Sequence, residues 1–563
     1  MKAVAAVALT AACAAPAFPQ AGDDAATRPA VVSPAEKSAA EAIRPELIRG
    51  HVRFLASDLL EGRGPATRGD RLTQAYIAAQ MEGIGLQPAT PDGSWYQPFE
   101  VIGMTSRNPE RLVATKGQAT VELKYHQDFI AFSGVHAPES GVQAAEVVFV
   151  GYGIVAPEYQ WDDYAGADLK GKVLLMMNND PEDDPKLFAG KTRLYYGRWD
   201  YKYEMAAKAG AAGAIIIHTE PSAGYKWQVV QTSWTGEQFA LPEEGGPHLQ
   251  VKAWTTEEAS KRIAALGGHD LDALRASAQK RGFAPVPLGV AVSIALKNEV
   301  QKKQTANVVG RLPGSDPALA EQAVIYTAHH DHLGIREDAG PGADAIYNGA
   351  LDNASGVGAM LAIAEAMAAL PKPPRRSVLF AAVAAEEQGL LGAKYLAAHP
   401  PLPPGRLAVN INIDGVNIFG RTRDLTMVGY GKSSVDDYVR ALAAMQGRVV
   451  VPDQFPDKGF FYRSDQFALA KVGVPAAYFD AGTEVIGKPP GWGKEQHQRF
   501  ESQDYHQPSD ELRETWDLAG AVEDARLMFY LGLEIGNADR MPSWKPGDEF
   551  EAARKKALAA AGS

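Results

Sequence analysis

The pattern of apolar runs predicts an α/β fold: a mostly parallel, mixed sheet flanked by helices, with an inserted β-rich domain. Three observations carry this. From about residue 306 onward, strand-like and helix-like segments alternate, as a parallel sheet with helical crossovers requires. The strand-like runs there are near-continuously apolar, as strands buried on both faces are. Between about 139 and 288 the texture changes to short strands punctuated by glycine, which implies a separate unit. A chain of 563 residues also exceeds one ordinary core.

In chain order, Lys2, the small apolar run from Ala3 to Ala12 and the A-x-A site Ala15-Pro16-Ala17 read as an export signal over 1–17. The run is too short to span a bilayer. Cys13, the only cysteine, follows Ala11-Ala12 and offers a second reading as a lipid-modified first residue, although Thr10 stands where such sites usually carry Leu or Val. Either way the expected destination is the periplasm or the exterior, as a secreted protein or a lipoprotein anchored through Cys13. The folded part then contains no disulfide.

Residues 18–40, rich in Ala, Asp and Pro, read as a flexible leader. Over 41–138, the first part of the main domain, helical spacing runs from about 38 to 60, restarted at Pro45, and from 69 to 83, ended by Gly83 and Gly85. A strand is expected from Tyr96 to Met104. Within the insert, 139–288, Glu146 to Val150, Lys172 to Asn178 and Ala214 to His218 read as strands, and Tyr203 to Gly210 as a helix. The main domain resumes over 289–540. Strands are expected at 323–328, 377–384, 407–413 and 476–479, and helices at 354–369, 388–398, 433–446 and 515–536. Residues 541–563 read as a C-terminal tail, and no stretch is long enough for a transmembrane helix.

Hydrophobic residues make up 46% and charged residues 22% of the chain, a globular balance. A net charge of −12 and the lack of a Lys/Arg-dense run argue against a nucleic-acid partner. There is no Walker-type glycine loop, no Gly-x-Ser-x-Gly and no His-Glu-x-x-His.

Five metal-type side chains stand out at or near expected strand ends: His329, Asp352, Glu387, Asp414 and His506. In open α/β sheets ligands bind beyond the carboxyl ends of the strands. Two histidines and three carboxylates, one of them bridging, fill the shells of two zinc ions and leave room for water. Asp331 lies two residues after His329, near enough to take its second ring N–H; His330 and His332 compete with His329 for the ligand role. Asp352 alone would be read as a helix N-cap worth about 1 kcal/mol, but within the set it serves as the bridge. The adjacent Glu386 and Glu387 repel each other unless cations offset their charge. Their side chains diverge, so Glu387 can bind metal while Glu386 faces the attacking water as a base.

These motifs, in this order, resemble the two-zinc (co-catalytic) aminopeptidase family that includes bacterial leucyl aminopeptidase, aminopeptidase Y and glutamate carboxypeptidase. The resemblance implies a zinc-peptidase, phosphorylase/hydrolase-like fold and two Zn2+ per chain. It places His329 and Asp414 on one ion, Glu387 and His506 on the other, and Asp352 across both. It makes Glu386 the general base, Asp331 the partner of His329, and Tyr505 a donor to the developing oxyanion. His51-Val-Arg-Phe-Leu-Ala-Ser-Asp-Leu-Leu-Glu-Gly-Arg resembles the N-terminal helix of members with an extra domain. Val150-Gly-Tyr-Gly-Ile and Trp161-Asp-Asp-Tyr-Ala-Gly make the insert similar to a protease-associated domain.

The implied activity is release of the N-terminal residue from peptides with a free amine. A carboxypeptidase would use the same metals with cations such as Arg463 and Lys458, and a glutaminyl cyclase would work with one zinc. A binding module using the metals structurally would leave Glu386 without a role. Phe455, Phe460, Phe461 and Tyr462 offer an apolar wall for the substrate, beside the polar Arg463-Ser464-Asp465.

Overall fold

The computed structural model describes residues 32–242, 245–336, 340 and 342–562. The expected signal over 1–17, the lipid-site reading of Cys13 and most of the leader lie outside these residues. The end of the leader stretch, Pro34–Glu41, is a helix because Ser33 and Glu36 form a reciprocal capping box and Ala39 and Ala40 are buried. Among the described residues no helix is long and apolar enough to cross a membrane.

The main sheet contains β1 (Tyr96–Arg107), β2 (Val286–Leu312), β3 (Ala323–His329), β4 (Ser377–Val383), β5 (Leu407–Asn412), β6 (Asp424–Val428), β7 (Val449–Pro452) and β8 (Ala476–Asp480). Its order is β1-β2-β4-β3-β5-β8-β6-β7. The central β4, β3, β5 and β8 are parallel, while β2 and β6 run against these neighbours. The sheet is therefore mixed and parallel at its centre, as the alternation predicts.

Alternation along the strands builds a core on each face. In β3, Val324, Tyr326 and Ala328 join one core with α1 (Pro45–Leu55), α2 (Arg68–Ile84), α3 (Gly356–Ala368), α5 (Val435–Met445) and α6 (Ala519–Asn537); Ala323 and Ile325 join the other with α4 (Leu391–Ala398). Every residue of β3, β4 and β5 is buried. At roughly 1.5–3 kcal/mol per buried Val, Ile or Leu, these strands are firm mounts for whatever follows them.

Residues between Leu112 and Leu296 form cores of their own, which reach back before the 139–288 expected for the insert. There the strands Glu139–Phe149, Val173–Met177, Gly213–His218 and Val251–Thr256 pair in parallel, and Phe129–Ser133 closes antiparallel. The first half of β2 pairs with Glu139–Phe149 and its second half with β1, so one strand runs through both units.

Candidate metal centre

Three ligand candidates stand where the parallel strands run out. His329 is the last residue of β3, Glu387 lies four residues past β4 and Asp414 two past β5. Asp352 comes from the loop before α3, which its neighbours pin. The Asp510 carboxylate accepts the backbone N–H groups of Leu351 and Asp352 at 2.9 and 3.0 Å. The Asn353 side chain donates to the Ile413 carbonyl and accepts from the Gly415 N–H, both at 2.9 Å, tying this loop to Asp414. Gly349 enters the loop at φ 54°, where a Cβ would sit 2.6 Å from the His332 ring. Ala385 and His506 both adopt φ 55°, an uncommon conformation for residues with a side chain that clusters at working sites.

The five candidates converge. His329 Nε2 lies 3.2 Å from Asp352 Oδ1 and 3.2 Å from Asp414 Oδ1. His506 Nε2 lies 3.3 Å from Asp352 Oδ2 and 2.9 Å from Glu387 Oε2. Asp352 thus turns one oxygen to each histidine. Donors bound tetrahedrally at zinc distances stand about 3.3 Å apart, so the donor set fits two such ions sharing one carboxylate.

The neighbouring residues set His330 apart from the centre and keep His332 beside it. His330 turns away from the centre and meets Asp70 Oδ1 at 3.0 Å. His332 Nδ1 meets the other Glu387 oxygen at 2.7 Å, and its Nε2 is a buried atom with no hydrogen-bond partner among the described residues. His332 also belongs to a three-residue donor group with Asp352 and Glu387. The Asp331 carboxylate stands 3.8 Å from His329 Nδ1 and accepts the backbone N–H groups of Glu386 and Glu387 at 3.0 and 3.4 Å. It fixes the turn that presents the paired glutamates.

The Tyr505 ring stacks on His506 with centroids 3.9 Å apart, and its hydroxyl accepts from Arg463 Nη2 at 3.0 Å. Ser233, from the inserted helix Trp227–Ser233, meets His506 Nδ1 at 2.7 Å. Accepting from Nδ1–H would leave the Nε2 lone pair free for a metal.

Charge is the site's second property. Burial pushes Asp331 and Asp510 up to about 6. Burial, then Glu387, Asp414 and Asp465, raises Glu386 well above the ordinary glutamate value, against the pull of His329. For Asp352, burial is outweighed by hydrogen bonds from His329 and His506, which hold it well below the usual range. Burial lowers His506, but Glu387 and Asp352 override it and push the ring up to about 9. Asp465 is buried with no hydrogen-bond partner for either oxygen among the described residues. Buried Arg63 offsets part of this charge while donating to the backbone carbonyls of Leu55, His330, Asn348 and Gly349. So many buried carboxylates call for further cations.

Two cavities open on the centre, and both are lined by Glu386, Arg463 and Tyr505. The smaller, about 190 Å³, also touches Asp352 and Asp414 and is walled by Phe419, Phe455, Phe460, Phe479 and Phe500. The larger, about 510 Å³, lies between the insert and the main domain. Of the aromatic residues expected to form a wall, Phe455 and Phe460 line the smaller cavity, whereas Phe461 and Tyr462 pack into the core beside α4.

Sequence reasoning did not single out Ser233, Asp510, Arg63 or the position of His332. Arg63 ends the motif that begins at His51, and Asp510 follows His506 by four residues, so each had a weak local signal. Ser233 had none, since 273 residues separate it from His506.

Residues 307–530, which hold all five candidates, match the family described as Peptidase family M28. Among curated proteins, aminopeptidase NAALADL1 of Rattus norvegicus is 32% identical over 119 residues, 20% of this chain and 14% of its own length. The chain therefore matches only about a seventh of that relative. Among solved structures, an aminopeptidase from Aneurinibacillus sp. strain AM-1 superposes over 91% of this chain and 97% of its own, with a TM-score of 0.51 and 20% identity. The zinc aminopeptidase BSAP of Bacillus subtilis covers 90% of this chain and 97% of its own, with a TM-score of 0.45 and 18% identity. Residues 307–530 thus resemble peptidase family M28, and the chain shares the fold of the Aneurinibacillus structure.

Proposed function

We propose that the chain is an exported metallo-aminopeptidase that holds two zinc ions and removes the N-terminal residue of peptides. The observation that carries this reading is the pair of Asp352 oxygens, each facing a different histidine, with Glu386 beside them lining both cavities. His329 and Asp414 would hold one ion, Glu387 and His506 the other, and Asp352 would serve both. When bound, the pair supplies Lewis-acid polarisation of the scissile carbonyl and a lowered pKa for water. Glu386 takes the proton of the attacking water and returns it to the leaving amine. The Tyr505 hydroxyl, held as an acceptor by Arg463, keeps its own proton free for the carbonyl oxygen as negative charge develops there. His332 steadies Glu387, and Asp331 steadies the turn that carries both glutamates.

The smaller cavity, with its phenylalanine walls, suits an apolar side chain on the released residue. The inserted unit acts as a protease-associated domain that covers the site and contributes Ser233. Export is supported by the composition of residues 1–17.

The test is hydrolysis of a panel of free-amine and N-blocked aminoacyl substrates, with metal counted on the same sample. Two metals per chain and cleavage of free amines only, fastest for apolar residues, is the expected result. One metal, or cleavage only of blocked peptides with a free carboxylate, overturns it. Ser233→Ala should weaken metal retention by about 10–100-fold, the usual effect of removing a partner of a ligating histidine. Chelator competition reads this directly, and unchanged retention would leave Ser233 without that role.

A further inference from the structure

Arg463 stands where the two cavities meet. Its guanidinium lies 5.2 Å from the Phe460 ring centre, 5.7 Å from Tyr225 and 5.9 Å from Tyr505. Tyr225 belongs to the inserted unit, so the group is clamped between the two parts of the chain. One guanidinium nitrogen, Nη2, is used on Tyr505. The other, Nη1, is buried with no hydrogen-bond partner among the described residues, and no ion pair forms at Arg463 among them. A buried guanidinium N–H without an acceptor is costly, and its planar fork matches a carboxylate.

The larger cavity agrees with this. Five cationic side chains line it, Arg463, Lys394, Lys471 and Arg198 among them, against Asp200, Glu204 and the Glu386–Glu387 pair. Arg198 stands 3.6 Å from Asp200, and Lys471 lies 5.1 Å from the Tyr195 ring centre. With the glutamate pair set aside as part of the metal centre, the rest of the lining carries five cations against two carboxylates, in a chain of net charge −12. In a dipeptide the terminal carboxylate carbon lies only about 4 Å from the scissile carbonyl carbon. Arg463 is one hydrogen bond from Tyr505, which stacks on His506.

We infer that Arg463 binds the C-terminal carboxylate of dipeptides in the interdomain cavity, so that the preferred substrates are dipeptides with both ends free. The inference rests on the peptidase reading above and adds the leaving side of the substrate to it.

The test measures calorimetric binding of Phe-Ala and of its C-terminal amide to the zinc-loaded Glu386→Gln chain. The free dipeptide should bind at least about tenfold more tightly than the amide, the scale of one charge-assisted pair. Adding Arg463→Met should shrink that difference to under about twofold, and Arg463→Lys should keep part of it. Equal binding of the two peptides to the chain with Arg463 intact overturns the inference, whatever the variants do. Turnover by the unmutated enzyme separates the two readings. Equal kcat/KM for dipeptide and amide keeps the peptidase and sinks the role of Arg463. A binding preference without any cleavage keeps the carboxylate site and sinks the peptidase.

Discussion

Glu386→Gln is expected to lower kcat by at least about 100-fold, the usual scale for a general base, while the chain keeps its metal. Glutamine preserves the shape and one oxygen of the side chain but cannot hold the transferred proton. The backbone there is held independently, because the Asp331 carboxylate accepts the Glu386 N–H at 3.0 Å. The turn and the position of Glu387 should therefore survive the change. Steady-state kinetics and metal content on one preparation give the answer. Near-normal turnover removes the base. Loss of metal would instead make Glu386 a ligand, a reading its geometry admits because its donor lies within 4.8 Å of those of His329 and Glu387.

The parts of this site that sequence reveals are those fixed by strand periodicity. His329, the glutamate pair and Asp414 follow buried apolar runs, and a sheet with parallel central strands brings such ends together. His329, His330 and His332 could not be ranked by spacing. Pleating turns the side chain after His329 to the opposite face, where His330 meets Asp70, and the chain then leaves the strand so that His332 returns to Glu387. Ser233 was illegible because its contact arises from docking of two units, not from any local pattern. The strands β6 and β7 were also missed: Asp424 and Thr426 interrupt the apolar run of β6, and β7 is only four residues long, with Val449 exposed and Pro452 at its end. Phe461 and Tyr462 read like their neighbours Phe455 and Phe460, and only packing separated core from cavity wall.

Asp352→Asn should do more damage than loss of any other single ligand, because Asp352 alone faces both ion positions and the amide leaves one oxygen where two are needed. Asp352 Oδ1 stands 3.2 Å from His329 Nε2 and Oδ2 stands 3.3 Å from His506 Nε2, and an amide offers one oxygen and one NH2 in the same space. The expected result is a fall from two metals per chain to one or none, with activity lost beyond the 100-fold or so set by Glu386→Gln. Metal-dependent stability should fall with it. At free metal about 100 times the dissociation constant, binding adds about 2.7 kcal/mol per site, so the rise in melting temperature on adding zinc should shrink or vanish. Asn353→Ala is the control for loop disorder, since Asn353 ties the same loop to Ile413 and Gly415 without facing the ions. If Asp352→Asn binds two metals and works normally, the bridge is wrong and the two histidines must be held to the metals by Asp414 and Glu387 alone. If Asn353→Ala reproduces the full effect of Asp352→Asn, the carboxylate matters for the loop's shape and not for sharing charge between two ions.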